Sequence, residues 1–302
     1  MKEDLRLAMI GMIPGNGHPY SWSALLNGYD AEAMAQCPYP VIRQSLGARP
    51  DEPIRGARVT HIWTDDPADG PLVAAAGKID HIVAQPEQVI GEVDGVIIAT
   101  DNGDDHVRRA RPFVEAGLPV FIDKPLATNR SDLKQFIEWK SDGARILSSS
   151  GMRYAPELDG VSNEWRWITA ATPKSWERYG IHLLEPVSRL LGPGFESIRM
   201  TGASDSSIAQ ITHRSGTEIT LATLNDATGG AFRFHLHGSS SYHSIPLTDT
   251  YTAFRRQLVG VVDWMRNATE PVKFPETCEL MQVLIAGRES REMNGERISI
   301  AS

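Results

Sequence analysis

Cysteine is nearly absent from this chain: 302 residues hold only Cys37 and Cys278, with no CxxC spacing between them. Two thiols so far apart are too few for a disulfide framework or a thiolate metal cluster, and they read as incidental residues of a reduced, cytoplasmic protein. Long hydrophobic runs are missing as well. Stretches such as Val96-Ile97-Ile98-Ala99 are strand-sized, far below the roughly 20 apolar residues that a bilayer requires, so no membrane partner is expected. The charged start Met1-Lys2-Glu3-Asp4 lacks the apolar core and small-residue cleavage site of a secretory signal. Positive charge is also scarce, with 30 Lys and Arg against 38 Asp and Glu, a formal net charge of −8 and no basic run. That balance disfavours a nucleic acid, whose binding depends on basic side chains releasing counterions. No internal repeat or low-complexity tract is present.

What is present is enough chain for two cores. At 302 residues the expected division is a domain over 1–150 and another over 151–302, since a single core rarely organises more than about 250 residues. In the first part, short apolar runs at 5–10, 59–64, 95–100, 119–122 and 144–148 alternate with helical periodicity at 105–116 and 131–140, the pattern of a parallel sheet covered by helices. Asp104 or Asp105, and Asn129 or Ser131, are the candidate N-caps. After residue 150 strand-like runs follow one another at 164–170, 195–202, 207–213, 217–224 and 231–238, and helices are expected at 252–267 and 277–293. Strands in succession imply a predominantly antiparallel sheet. The fold class is therefore α/β followed by α+β, a doubly wound parallel sheet with an open-faced second domain.

The first strand runs into Gly11-Met12-Ile13-Pro14-Gly15-Asn16-Gly17-His18-Pro19-Tyr20. Glycines at a strand-to-helix turn let the backbone approach a pyrophosphate, and a helix start supplies amides and a positive dipole. Gly11, Gly15 and Gly17 are the candidates, although neither register on GxGxxG is complete and an ordinary turn satisfies the same residues. Asp65, after the second strand, stands where an acid binds the ribose hydroxyls of NAD, or is a solvated turn with Asp66. No arginine is its neighbour in sequence, which favours NAD over NADP. An insertion around 27–57 must separate the turn from Asp65.

Further on stand Asp94-Gly95-Val96-Ile97-Ile98-Ala99-Thr100, Asn102 and His106, then Glu115-Ala116-Gly117-Leu118-Pro119-Val120-Phe121-Ile122 and Asp123-Lys124-Pro125-Leu126-Ala127. With Arg153-Tyr154-Ala155-Pro156 and Gly180-Ile181-His182-Leu183-Leu184-Glu185, this resembles the Gfo/Idh/MocA oxidoreductase family. The resemblance implies a nicotinamide dinucleotide lined by Thr100, Asn102, His106 and Lys124. It implies Lys124 as the catalytic lysine of the family's EKP motif, with Asp123 replacing glutamate and a cis peptide before Pro125. It also implies His182 as the proton acceptor of a GxHxxD motif in which Glu185 replaces aspartate, Arg153 and Tyr154 as substrate contacts, and a homodimer or homotetramer. A lysine above a central strand can steady a developing alkoxide, and imidazole titrates where a general base must. The expected step is hydride transfer to nicotinamide from a secondary alcohol of a sugar, inositol or polyol, with Lys124 and His182 contributed by different domains. The alternatives are an NAD-dependent glycosidase or lyase working through a transient keto-sugar, and a non-catalytic dinucleotide-binding protein. Pro186 should kink the helix that carries His182. His235, His237 and His243 lack the companions of a metal site, so no metal is expected. Trp22, Trp63, Trp165, Trp167 and Trp176 are read as packing residues.

Overall fold

Apolar runs that are buried on both faces pair in parallel, and each crossing helix returns the chain to the same edge. In the computed structural model, which describes residues 4–49, 52–162, 164–226 and 229–300, six strands do so: β1 (Leu5–Ile10), β2 (Ala57–Trp63), β3 (His81–Ile82), β4 (Gly95–Ile98), β5 (Val120–Ile122) and β6 (Ile146–Ser148). All are parallel, in the order β3-β2-β1-β4-β5-β6. The order reverses between β1 and β4, and ligands of such sheets bind above the strand ends at that reversal. The connecting helices are α1 (His18–Asn27), α2 (Ala31–Met34), α3 (Pro40–Gly47), α4 (Asp69–Gly77), α5 (His106–Glu115) and α6 (Arg130–Ser141). The insertion at 27–57 accounts for α2 and α3. The charged start at Met1–Glu3 lies outside the described residues.

Two cap expectations resolve differently. Asn129 Oδ1 accepts from the Asp132 amide at 2.9 Å and caps α6. Asp105 precedes α5 but makes no cap bond with its side chain, because that carboxylate accepts from Arg109 Nε at 2.7 Å instead.

Beyond residue 150, β7 (Trp167–Thr172), β8 (Phe195–Ala203), β9 (Ser206–His213), β10 (Glu218–Leu224), β11 (Arg233–His237), β12 (Tyr242–Pro246) and β13 (Ile298–Ser299) form a second sheet in the order β12-β11-β7-β10-β9-β8-β13. Every pairing is antiparallel except β7 with β10. Side chains alternate along these strands; Ile168, Ala170, Ala209, Ile211, Ile219 and Leu221 are buried. Helices α7 (Ile181–Leu191), α8 (Thr250–Asn267) and α9 (Phe274–Glu292) complete the chain. Pro186 lies inside α7, which continues through it to Leu191.

The chain packs as two compact units that interleave along the sequence. One holds the residues up to Asp123, Gln135–Ser148 and Phe254–Pro271; the other holds Lys124–Lys134, Ser149–Ala253 and the residues from Val272 on. Most of α8 therefore joins the parallel sheet, where Met265 Sδ lies 2.9 Å from the point that a side chain on Gly95 would occupy. The division falls between Asp123 and Lys124, which corrects one expectation: Lys124 and His182 belong to the same unit.

Candidate active site

At the reversal of the parallel sheet, Gly11 leaves β1 with φ +90°, a conformation that L side chains rarely adopt. A Cβ there would lie 2.7 Å from Thr100 Cγ2 and 3.1 Å from Arg109 Nη1, so only glycine lets the backbone pass this close. Thr100 is fully buried, and its Oγ1 has no hydrogen-bond partner among the described residues. An orphaned hydroxyl at the switch point calls for a ligand atom. His106, also fully buried, fastens the same loop through Nε2 to the Thr100 carbonyl at 2.8 Å. Asn102 Oδ1 accepts from the Asp104 amide at 3.3 Å and shapes the turn into α5.

Asp65 lies in the expected region but reaches inward. Its Oδ2 accepts from the Met12 amide at 3.0 Å, and its Oδ1 accepts from Arg109 Nη2 at 2.6 Å. Arg109 thus supplies the arginine that is missing beside Asp65 in sequence. Burial opposes its charge, but the bonds to Asp65 and Asp105 outweigh this and raise its pKa, and all three guanidinium nitrogens are spent on these carboxylates.

The rest of the glycine turn departs from the usual fingerprint. Gly17 makes room for packing, since a Cβ would meet Ile42 Cδ1 at 2.5 Å and Tyr39 Cδ2 at 2.7 Å, both from the inserted segment. Gly15 has φ +81° and open space around it. The first-turn donors of α1 are partly consumed: the His18 amide bonds Asn16 Oδ1 at 2.9 Å, Pro19 has none, and the Tyr20 amide bonds the Gly17 carbonyl at 3.1 Å. Asn16 Nδ2 reaches the Ala99 carbonyl at 3.0 Å and Asp123 Oδ2 at 3.3 Å, while His18 Nδ1 lies 2.7 Å from the same carboxylate. Asp123 therefore knots the ends of β1, β4 and β5 together. Sequence reading missed Asn16 and His18, since nothing local marks them as its partners. Gly11 and Thr100 fit a dinucleotide at the switch point, with fewer helix amides offered than the usual turn provides.

The second cluster lies within the other unit. A cis peptide joins Lys124 to Pro125, as the resemblance implied. Lys124 is buried, and its Nζ stands 5.0 Å from the centroid of the Tyr179 ring. His182 packs edge-on against that ring, with centroids 4.8 Å apart, so Lys124 and His182 are brought to one phenol. Tyr179 belongs to a π-helical turn, Trp176–Gly180, and π turns recur at functional sites. Trp176 anchors the turn: it is fully buried, and its Nε1 donates to the Leu284 carbonyl at 2.8 Å. Gly180 is needed because a Cβ would lie 2.7 Å from the Trp176 ring.

His182 Nδ1 is 2.7 Å from Ser150 Oγ, and that oxygen also accepts from the Met152 amide at 3.1 Å. In the tautomer with its proton on Nδ1, the imidazole donates to Ser150 and carries its lone pair on Nε2. Glu185 works one step back, accepting from the Ser150 amide at 3.0 Å and from Arg153 Nη1 at 2.9 Å. It thus meets the residue that His182 itself meets, Ser150. Burial pushes its carboxyl pKa up, against the pull of Arg153 and the amide.

Arg153 is clamped between Glu185 and Glu276, so its charge is met within the unit. Burial pushes the Tyr154 phenol up to about 12, and its Oη lies 3.4 Å from Ser149 Oγ. Ser150, Lys174 and Glu276 were absent from the candidates, whereas Tyr179 stands three residues before His182 in the same spacing that includes Glu185. The run Ser148-Ser149-Ser150 after the last parallel strand and the Tyr179-Gly180-Ile181-His182 spacing were the available signals. Of the histidines set aside, His235 Nδ1 is 2.7 Å from Tyr242 Oη and His237 stacks on Trp167 at 5.0 Å.

The strand order, the glycine at its reversal and the orphaned threonine together define a protein built on a Rossmann dinucleotide-binding fold. Residues 38–149, less than half of the chain, match the family described as "Oxidoreductase family, NAD-binding Rossmann fold". The match begins after the glycine turn, which leaves the remodelled Gly11–Gly17 segment outside it. The chain is 34% identical over 105 residues to inositol 2-dehydrogenase 1 of Saccharopolyspora erythraea, a stretch covering 33% of this chain and 31% of that one. The match thus spans about a third of the curated relative. Among solved structures, a putative myo-inositol dehydrogenase from Sinorhizobium meliloti superposes with a TM-score of 0.71 at 18% identity, covering 98% of this chain and 100% of that one. The myo-inositol dehydrogenase of Lactobacillus casei, solved with NAD(H) and myo-inositol, gives 0.75 at 15% identity over 99% and 98%. These likenesses establish the fold.

Proposed function

We propose that this chain is an NAD-dependent oxidoreductase acting on a secondary alcohol of a polyol, with inositol, a sugar or an acyclic polyol as its substrate. The observation that carries the reading is the approach of Lys124 and His182 to the single ring of Tyr179, because an alcohol oxidation needs a cation for the oxygen and a base for its proton in one place. Gly11 and Thr100 would hold the dinucleotide, which when bound supplies the hydride acceptor. The Lys124 ammonium hydrogen-bonds the alcohol oxygen and stabilises its alkoxide character. His182 takes the hydroxyl proton on Nε2 while Ser150 steadies Nδ1. The preference for NAD is supported by the acidic Asp65 at the end of β2, and by Arg109 being engaged with carboxylates on every nitrogen, which leaves its guanidinium committed rather than open to a 2′-phosphate. The half-exposed residues Trp167, Ile208 and Tyr242 of the second sheet support self-association.

The test is NADH formation, followed at its absorbance, over a panel of myo-inositol, glucose, sorbitol and related polyols. At least one should reduce NAD with net accumulation of NADH. Lys124→Ala and His182→Ala should each lower kcat by roughly 100-fold or more with NAD affinity changed by less than about threefold. Full turnover in either variant defeats the assignment, and product release without net NADH favours the transient keto-sugar route.

A further inference from the structure

The cluster contains a pair that the proton transfer above does not use. Lys174 follows β7 with φ +65°, a left-handed conformation that is strained for a lysine and persists only where its surroundings enforce it. Its amide donates to the Asn225 carbonyl at 3.1 Å. Its Nζ donates to Tyr179 Oη at 2.7 Å and stands 4.3 Å from the centroid of the ring. An ammonium has no lone pair, so the phenol oxygen must accept this bond and its own hydrogen must point away from Lys174. The groups that face Tyr179 include Lys174 from the loop after β7, Lys124 from the loop after β5, and His182 from α7. Glu177 on the same turn is held by Arg291 of α9.

We propose that Tyr179, polarised and held by Lys174, is a specificity-determining residue that donates to a second substrate hydroxyl beside the one being oxidised, so that the substrate class is a vicinal diol rather than an isolated secondary alcohol. This rests on the function proposed above. Neighbouring carbons of a polyol place two oxygens within one hydrogen-bond length of each other, and Lys124 stands against the same ring that presents the phenol. One oxygen goes to Lys124 and His182, where the chemistry occurs, and the next goes to Tyr179. The lysine partner strengthens the phenol as a donor, since a charge-assisted bond to its oxygen polarises the O–H. A site that reads a hydroxyl in this way rejects the analogue lacking it strongly, because the donor is then left unpaired.

The experiment compares kcat/KM for the best polyol of the panel and for its monodeoxy analogue lacking the hydroxyl next to the oxidised carbon; for myo-inositol this is a cyclohexanepentol. The wild-type protein should prefer the polyol by about 100-fold or more. Tyr179→Phe should lose roughly that factor on the polyol, hold its rate on the deoxy analogue, and bring the ratio below about 3. Lys174→Met should lower the ratio by about tenfold, with the far-ultraviolet circular dichroism and NAD affinity of both variants matching wild type. A variant that loses both substrates equally, or keeps the wild-type ratio, overturns the inference. The two readings fail differently. If Lys124→Ala abolishes turnover while Tyr179→Phe discriminates like wild type, the specificity role alone is lost. If no polyol reduces NAD, the function and this inference fall together.

Discussion

At the scale of the residue, Glu185 is the most informative departure from the pattern that the resemblance implies. A glutamate reaches one methylene further than the usual aspartate, and here that reach ends on the Ser150 amide and the Arg153 guanidinium. Its side chain is buried to 1% exposure, where an unpaired partner charge is expensive. Glu185→Ala should therefore destabilise the protein by about 3 kcal/mol, the low end for a broken buried pair, because Arg153 retains Glu276. Urea denaturation measures it, and a loss under about 1 kcal/mol would reduce the interaction to the value of a surface ion pair. Turnover should fall too, with His182 losing the fixed orientation of Ser150. None of this was legible from the Gly180–Glu185 spacing, which suggested only that residues three apart share a helix face. Lys124 and His182 were legible because each sits in a short run of characteristic neighbours. Ser150, Lys174 and Glu276 were not, because each meets its partner through tertiary packing and no local pattern encodes that meeting.

At the scale of the element, strands with strong apolar periodicity matched their expected positions to within two or three residues, since burial on both faces or on alternate faces leaves a direct imprint on residue type. Elements without that imprint were invisible. β3 is two exposed residues, His81 and Ile82, and β12 exposes most of its length. The π-helical turn belongs with these, because its extra residue follows from the packing of Trp176 between Gly180 and Gly287 rather than from propensity. At Gly287 a Cβ would lie 2.6 Å from Trp176 Nε1, so the indole is wedged from both sides. Gly180→Ala should force the indole or the turn to move, costing roughly 1–3 kcal/mol as overpacking. It should also depress kcat, since Tyr179 and His182 flank the position. A thermal melt and a rate assay on the same preparation check both. An unchanged Tm with unchanged kcat would mean that the turn yields freely and that its geometry is not specific.

At the scale of the whole molecule, the two-core organisation was legible from length and from the change of texture after residue 150, but the interleaving was not. The return of α8 to the parallel sheet depends on which surface its apolar face meets, and a cut in the sequence carries no information about that. The second sheet raises the remaining question of what covers its outer face. Pairing registers place Trp167, Thr169 and Ala171 of β7 beside Glu218, Thr220 and Ala222 of β10, next to Ile208 and Gln210 of β9, with His237 and Tyr242 beyond Trp167. On that face Trp167 is 44% exposed, Ile208 46% and Tyr242 56%. Their neighbours are chiefly threonine, alanine and histidine, with Glu218 as the carboxylate among the residues named. A broad face that half-exposes Trp167, Ile208 and Tyr242 suits an isologous subunit contact, in which the same patch of each copy meets its counterpart. Light scattering should therefore give a mass twice or four times that of one chain. Trp167→Lys combined with Ile208→Lys should yield monomers, because burying like charges across a two-fold axis is costly without partners. A monomeric wild-type protein at micromolar concentration would reject the self-association. An oligomer that survives both lysines would move the contact to another surface.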